Sequence, residues 1–188
     1  MNQKDTMSAL PTGTVTFLFT DIEGSTNLWE EFPEAMKAAL AKHDSILKEA
    51  VESNHGQIVK TTGDGIHAVF TTAIDAINAA IQSQHKLNSL ILNYELPITN
   101  LQSPISSLSL KSRMGLHAGE AELREGDYFG QTLNRAARIM SAGHGGQILI
   151  SDIVAQVASE HLSAGVSFLD LGEHYLKGVV QAEKIYQI

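Results

Sequence analysis

The spacing of apolar residues changes along the chain and predicts a series of strands and helices. An unbroken apolar run at about Thr14 to Phe19 predicts a buried strand, and a helical pattern follows from about Pro33 to Glu52. Two short apolar stretches, GQIVKTT and IHAVF, come next, with Gly63, Asp64 and Gly65 between them. Because Asp-Gly between two apolar stretches is typical of a tight turn, this segment predicts a β-hairpin.

The rest of the pattern completes a split βαβ arrangement. AIDAINAAIQSQHKLNSLIL predicts a helix and LKSRMGLHAG a further strand, which gives the order strand, helix, strand, strand, helix, strand. This order predicts an α+β protein with a ferredoxin-like (βαββαβ) core, a mostly antiparallel sheet and flanking helices. HYLKGVVQAEKIYQI predicts two extra C-terminal strands, and NYELPITNLQSPISSLS, residues 93–109, predicts a long surface loop.

Composition narrows the classes of protein and partner. The 188 residues are 43% hydrophobic, which is enough apolar surface for one globular domain. The 13 basic and 21 acidic residues give a formal charge of −8, which argues against a nucleic-acid backbone or an anionic membrane surface as partner. Cysteine is absent, which excludes disulfides and thiolate metal sites, and the apolar runs are too short for membrane insertion. We expect a cytoplasmic protein, because the N-terminal residues lack the layout of a signal peptide.

Two acidic residues follow predicted strands that should run in the same direction. Asp21 comes at the end of the first strand, and Asp64 lies at the hairpin tip that ends the second. A strand–helix–strand crossover makes the two strands parallel, so both carboxylates are expected at one rim of the sheet. Paired carboxylates suit Mg²⁺, which prefers oxygen ligands, although each acid taken alone is more typical of a turn or a helix cap.

Two other groups of residues suit phosphate binding. Gly24, Ser25 and Thr26 form a turn into a helix start, where backbone N–H groups can bind phosphate oxygens. Asn134 and Arg138 are four residues apart on a predicted helix and share its polar face, which suits one phosphate or ribose group. Taken alone, the second pattern favours a solvated helix face.

Five stretches occur in an order that resembles the motifs of class III adenylyl and guanylyl cyclase catalytic domains: FTDIEGST, VKTTGDG, RMGLHAGE, DYFGQTLNRAARI and LGEHYLKG. The likeness covers nearly the whole chain and implies a catalytic domain at residues 13–188 after an N-terminal tail at residues 1–12. It implies a fold related to the polymerase palm and a lyase that converts ATP to 3′,5′-cyclic AMP and pyrophosphate in signal transduction. It also implies two Mg²⁺ or Mn²⁺ ions per active site and a homodimer with composite active sites.

Position by position, the resemblance assigns a cation site and a base site. Asp21 and Asp64 match the two metal-binding aspartates, and the carbonyl of Ile22 matches the backbone ligand of the second ion. Lys60 and Asp127 match the pair that recognises adenine. The resemblance therefore implies ATP as the substrate.

The resemblance also assigns residues to catalysis and to the triphosphate. Asn134 and Arg138 match the residues that stabilise the transition state, and Lys177, which alone would be an ordinary surface lysine, matches the triphosphate-binding lysine. These three residues, with Lys60 and Asp127, should come from one subunit of the dimer and the cation ligands from the other. No motif position that can be aligned has lost its functional side chain, which implies an active enzyme.

Two other functions fit parts of the sequence. A phosphatase of the haloacid-dehalogenase type also begins with an apolar strand that ends in a similar acidic motif, but its second acid is aspartate where this chain has Glu23, and no further acid lies close after Asp64. A noncatalytic nucleotide-binding or partner-binding module with the cyclase fold is the other alternative.

The stretch between GLHAGE and DYFG is short and leaves little of the dimerisation arm that many cyclases have. Regulation would need a separate domain or protein.

Overall fold

The computed structural model describes residues 9–90, 92–93, 107–108 and 110–188. Its helices and strands follow one another largely as the apolar pattern predicts. In chain order they are β1 (Thr14–Ile22), α1 (Ser25–Glu31), α2 (Pro33–Ser53), β2 (Gln57–Thr61), β3 (Ile66–Phe70), α3 (Ala73–Asn88), β4 (Leu92–Asn93), β5 (Ser107–Leu108), β6 (Ser112–Glu120), β7 (Glu122–Arg124), β8 (Asp127–Phe129), α4 (Gln131–Ala142), β9 (Ile148–Ser151), α5 (Asp152–Ala158), a 3₁₀ turn (Ser159–His161), β10 (Leu169–His174) and β11 (Glu183–Gln187).

Seven strands form one sheet in the order β10-β11-β9-β6-β1-β3-β2. All neighbouring strands are antiparallel except β6 and β9. β1, β2, β3 and β6 make the ferredoxin-like core with helices α2 and α3, and β9 to β11 extend the sheet, so the predicted fold class is confirmed. β1 and β2 run in the same direction, but β3 lies between them and is antiparallel to both.

Helices cover both faces of the sheet. α2, α3 and α5 pack on one face through a large apolar cluster. α4 packs on the other face, where Ala136 joins a second apolar cluster with Phe17 of β1. Because α4 buries this side against the sheet, its opposite side, which carries Asn134 and Arg138, is exposed.

The C-terminal strands begin earlier than the sequence predicts. β10 covers Leu169–His174, so only its last residue falls within the predicted stretch that starts at His174. Residues 175–182, the β10–β11 connection, leave the extended conformation because Leu176 turns into the core and Gly178 adopts a φ of 79°.

The predicted 93–109 loop lies outside the described residues except for Asn93 and Ser107–Leu108, which belong to the short β4–β5 pair. Two residues, Glu125 and Gly126, join β7 to β8, and both have positive φ. This tight hairpin corresponds to the short stretch between the GLHAGE and DYFG motifs.

None of the helices in the described part of the chain has both the length and the apolar character that a membrane span requires.

Candidate active site

The end of β1 and the tip of the β2–β3 hairpin are in close backbone contact. A Cβ on Gly65 would lie 1.9 Å from the carbonyl oxygen of Thr20, so any side chain there would collide with β1. The Ile66 N–H donates to Thr20 Oγ1 at 3.0 Å. Since Asp21 follows Thr20 and Asp64 precedes Gly65, the structure brings both carboxylates to one rim of the sheet.

The carboxylate of Asp64 has the features of a cation ligand. Its Oδ2 atom is buried, and no hydrogen bond reaches it from the described residues. A buried carboxylate oxygen without a partner is costly, and a cation at this point would remove that cost. Carboxylate and carbonyl oxygens are the ligands that Mg²⁺ and Mn²⁺ prefer. The described residues contain no group of three or more His, Asp or Glu side chains suited to a metal ion, so water or substrate oxygens would have to supply further ligands.

Arg113 is a residue of this rim that the sequence motifs did not single out. It lies opposite Asp21 in the register of β1 and β6, and its Nε and Nη2 atoms donate to Asp21 Oδ2 at 2.8 and 2.5 Å. Both side chains are partly buried. Arg113 therefore balances the charge of Asp21 and fixes the orientation of its carboxylate. The arginine is visible in RMGLHAGE, but only the strand register shows what it faces.

Ile22 and Glu23 hold the backbone that follows Asp21. The Ile22 side chain is buried against α2, so any role in the site falls to its backbone carbonyl. The Glu23 carboxylate accepts a hydrogen bond from the Gly145 N–H at 3.1 Å and lies 3.1 Å from His144 Nδ1. The contact with His144, followed by that with Gly145, lowers the pKa of Glu23. Glu23 thus ties the end of β1 to the α4–β9 turn and is not a third acid of the rim.

The predicted phosphate-binding turn is present as a turn. Gly24 is the N-cap of α1 and has a φ of 71°, a left-handed conformation that favours glycine. Ser25 and Thr26 lie in the first turn of α1, where backbone N–H groups have no acceptor within the helix. Phosphate binding by these groups stays a prediction.

Lys60 and Asp127 meet at the surface of the sheet. Lys60 Nζ lies 2.5 Å from Asp127 Oδ2, and Asp127 Oδ1 accepts a hydrogen bond from the Tyr128 N–H at 2.8 Å. The bond from Lys60 is the largest cause of the lowered pKa of Asp127. Both side chains remain partly exposed, so this donor and acceptor are accessible to a ligand.

A cluster of buried rings lies next to this pair. His67 is opposite Lys60 in the β2–β3 register and stacks on Phe19, with the ring centroids 4.6 Å apart. Tyr128 meets the His67 ring edge-on at 6.3 Å. No hydrogen bond from the described residues reaches either nitrogen of His67. Burial, with a smaller effect from Lys60, lowers the pKa of His67 to about 4, so the imidazole is neutral at physiological pH.

Asn134, Arg138 and Lys177 are a second group of predicted site residues, and all three are exposed. Asn134 and Arg138 lie on the outer side of α4, and Lys177 lies in the β10–β11 connection. Next to Lys177 is a cleft of about 400 Å³ between α4 and this connection. It is lined by Gln131, Asn134, Arg135 and residues 178–181. In the part of the chain that the structure describes, no ion pair or side-chain hydrogen bond joins this group to Asp21 or Asp64.

Comparison with known sequences shows the family of the chain. The family described as adenylate and guanylate cyclase catalytic domain matches residues 7–188. An uncharacterized protein of Mycobacterium tuberculosis is 36% identical over 181 residues, which cover 95% of this chain and 56% of that protein. An adenylate cyclase of Podospora anserina is 34% identical over 190 residues, which cover 92% of this chain and 9% of that protein. The chain thus spans about half of the mycobacterial relative and a small part of the fungal one.

Solved structures show the same fold. A structure of adenylate cyclases from Trypanosoma brucei in their monomeric state has a TM-score of 0.76 at 28% identity, covering 96% of this chain and 90% of that chain. An adenylate/guanylate cyclase/hydrolase from Silicibacter pomeroyi has a TM-score of 0.76 at 28% identity, covering 93% and 95%. Because the family match extends over nearly the whole chain and the fold agrees with it, this chain belongs to the family of adenylate and guanylate cyclase catalytic domains.

Proposed function

We propose that this domain is an adenylyl cyclase, which converts ATP to 3′,5′-cyclic AMP and pyrophosphate. The observation that carries the proposal is the 2.5 Å contact between Lys60 and Asp127, which puts one donor and one acceptor side by side and within reach of a ligand. These are the positions that the family resemblance assigns to the base. The fungal relative is also named an adenylate cyclase.

The chemistry of the pair favours adenine over guanine. Adenine has an acceptor at N1 and a donor at its 6-amino group, so Lys60 can donate to the first and Asp127 can accept from the second. Guanine reverses the pattern, with an acceptor at O6 and a donor at N1. A site built to hydrogen-bond one base edge disfavours the other, because the wrong base leaves donors and acceptors unpaired.

Asp21, Asp64 and the carbonyl of Ile22 would hold two Mg²⁺ or Mn²⁺ ions. The buried Oδ2 of Asp64 without a partner among the described residues supports this assignment. The chemistry that such ions supply is Lewis-acid activation of the ribose 3′-hydroxyl and neutralisation of triphosphate charge. Arg113 keeps the Asp21 carboxylate oriented, and residues 24–26 offer backbone N–H groups to phosphate oxygens.

In the proposed reaction, the ribose 3′-oxygen forms a bond to the α-phosphorus while the bond from that phosphorus to the leaving pyrophosphate breaks. Asn134 and Arg138 would stabilise negative charge on the α-phosphate, and Lys177 would stabilise charge on the leaving group. The side chains of the protein would form no covalent bond to the substrate, because positioning and charge stabilisation supply most of the rate enhancement in phosphoryl transfer.

The active site would be shared between two identical subunits. Within the described residues of one chain, the cation ligands form no ion pair or side-chain hydrogen bond with Asn134, Arg138 or Lys177. As the family resemblance implies, the carboxylates of one subunit would face the base-binding and catalytic residues of the other in a homodimer. Such a dimer has two equivalent sites, and its regulation would come from a separate domain or protein.

The test is product analysis at several protein concentrations. The purified protein is incubated with ATP or GTP and with Mn²⁺ or Mg²⁺, and cyclic nucleotide, pyrophosphate and orthophosphate are quantified. We expect cyclic AMP and pyrophosphate in equal amounts, with an activity per mole that rises with protein concentration. A noncatalytic nucleotide- or partner-binding module would give no product, and a phosphatase would release orthophosphate. A preference for GTP would refute the assignment of the base site.

A further inference from the structure

A partly buried ion pair links α4 to β11 beside the proposed active site. Arg135 Nη1 lies 3.4 Å from Glu183 Oε2, and the two side chains are 32% and 10% exposed. Burial raises the pKa of Glu183, whereas Arg135 lowers it and Asp152 of α5 adds to the rise. Ionised Glu183 therefore depends on Arg135 as its counter-charge. The proposed chemistry uses neither member of the pair.

The pair joins the two elements that position two of the proposed site residues. Arg135 directly follows Asn134 on α4, and it lines the cleft that separates α4 from residues 178–181 of the β10–β11 connection. The same connection carries Lys177 near one end and is followed by Glu183 at the other. The Arg135–Glu183 ion pair thus ties the helix that carries Asn134 to the strand that follows the connection of Lys177.

Apolar contacts also hold the connection against α4. Leu176 packs with Ile139 of α4 in a small apolar cluster, and Val179 packs against it. The ion pair supplies the directional contact that such packing lacks, because a guanidinium and a carboxylate fix both distance and orientation. Removing Arg135 leaves the charge of the mostly buried Glu183 without its partner, which is unfavourable.

We infer that Arg135 and Glu183 are positioning residues that set the distance between Asn134 and Lys177 across the cleft. This inference rests on the proposed function. Neither residue needs to touch the nucleotide. Their effect is to keep the amide that faces the α-phosphate and the ammonium that faces the leaving group at the separation that the transition state requires.

The experiment compares steady-state kinetics with ATP for four variants and a control. Arg135→Met and Glu183→Gln each remove one charge, the double variant removes both, and Arg135→Lys keeps the charge. The control is Lys184→Gln, which deletes the ion pair with Asp170 from the opposite face of the same strand. Melting temperatures are measured for the wild type and all five variants.

We expect kcat to fall about 10- to 100-fold in each single variant, with a change in KM of less than about threefold, since misplacement affects the transition state more than binding. The double variant should be no worse than either single variant, because the two residues act as one unit. Arg135→Lys, which keeps the charge, should recover part of kcat. Lys184→Gln should leave kcat unchanged.

Three results would overturn the inference: a folded single variant with wild-type kcat, a double variant whose loss is the sum of the two single losses, or an equal loss in Lys184→Gln. If a single variant does not fold, the double variant, which has no buried unpaired charge, decides the question by the same kcat criterion. A wild-type protein that makes no cyclic nucleotide would instead refute the proposed function, so the two failures are distinguishable.

Discussion

His67 provides a test of the electrostatics beside the Lys60–Asp127 pair. Its side chain is buried, and burial, with Lys60 as the second cause and Asp127 opposing, lowers its pKa from 6.5 to about 4. The folded state therefore keeps this imidazole neutral, while the unfolded chain binds a proton below about pH 6.5. Stability from this residue is fully present above about pH 6.5 and is lost as the pH falls towards about 4.

The expected magnitude follows from the two pKa values. Between about pH 8 and pH 5, a shift of this size removes about 2 kcal/mol from the free energy of unfolding. His67→Leu abolishes the titration and replaces two buried nitrogens, which have no hydrogen bond from the described residues, by apolar atoms. The free energy of unfolding of the variant, relative to that of the wild type, should therefore rise by about 2 kcal/mol between about pH 8 and pH 5.

Urea unfolding followed by circular dichroism at about pH 8, 6.5 and 5 measures this difference. The control is His85→Gln, which removes an exposed histidine from α3 and shows whether the loss of any histidine has the same effect. A difference between His67→Leu and the wild type that stays constant with pH would show that His67 binds its proton equally in both states. The reasoning from burial would then be wrong.

Three further predictions concern the proposed active site. Asp21→Ala and Asp64→Ala should each abolish cyclic AMP formation without loss of the circular dichroism spectrum, and near-normal activity with Mg²⁺ in either would refute its assignment as a cation ligand. Mixing inactive Asp21→Ala with inactive Arg138→Ala should restore activity, because a heterodimer contains one intact site, and no recovery once heterodimers are shown to form would place the site within one subunit. Lys60→Glu combined with Asp127→Cys should reduce the preference for ATP in competition with GTP, since it removes the donor and the acceptor, and undiminished selectivity would contradict the base assignment.

The fold could be predicted where a few neighbouring residues decide the structure. The apolar run of β1, the Asp-Gly turn at Asp64 and the helical pattern from Pro33 each act locally, and their order was sufficient for the ferredoxin-like core. That residues 175–182 form a connection and not part of a strand was not predicted, because it depends on Leu176 entering a cluster with Ile139 of α4, a contact between distant parts of the chain.

The same distinction applies to the candidate site. Asp21 and Asp64 could be placed on one rim because both end strands of the same direction. Arg113 could not, because it meets Asp21 across 92 residues and only through the register of β1 with β6. The Arg135–Glu183 pair likewise depends on how α4 lies on β11, which no local spacing encodes.

The central place of β1 in the sheet gives the two parts of the proposed site different mechanical properties. β1 is flanked by β6 and β3, so its amide groups should exchange with solvent only when the whole domain unfolds. Lys177 lies in a connection whose Tyr175 and Val180 are 86% and 97% exposed, and such segments open locally at little cost. The position of Asp21 is therefore as durable as the fold itself, whereas affinity for the triphosphate can evolve through changes in one surface connection.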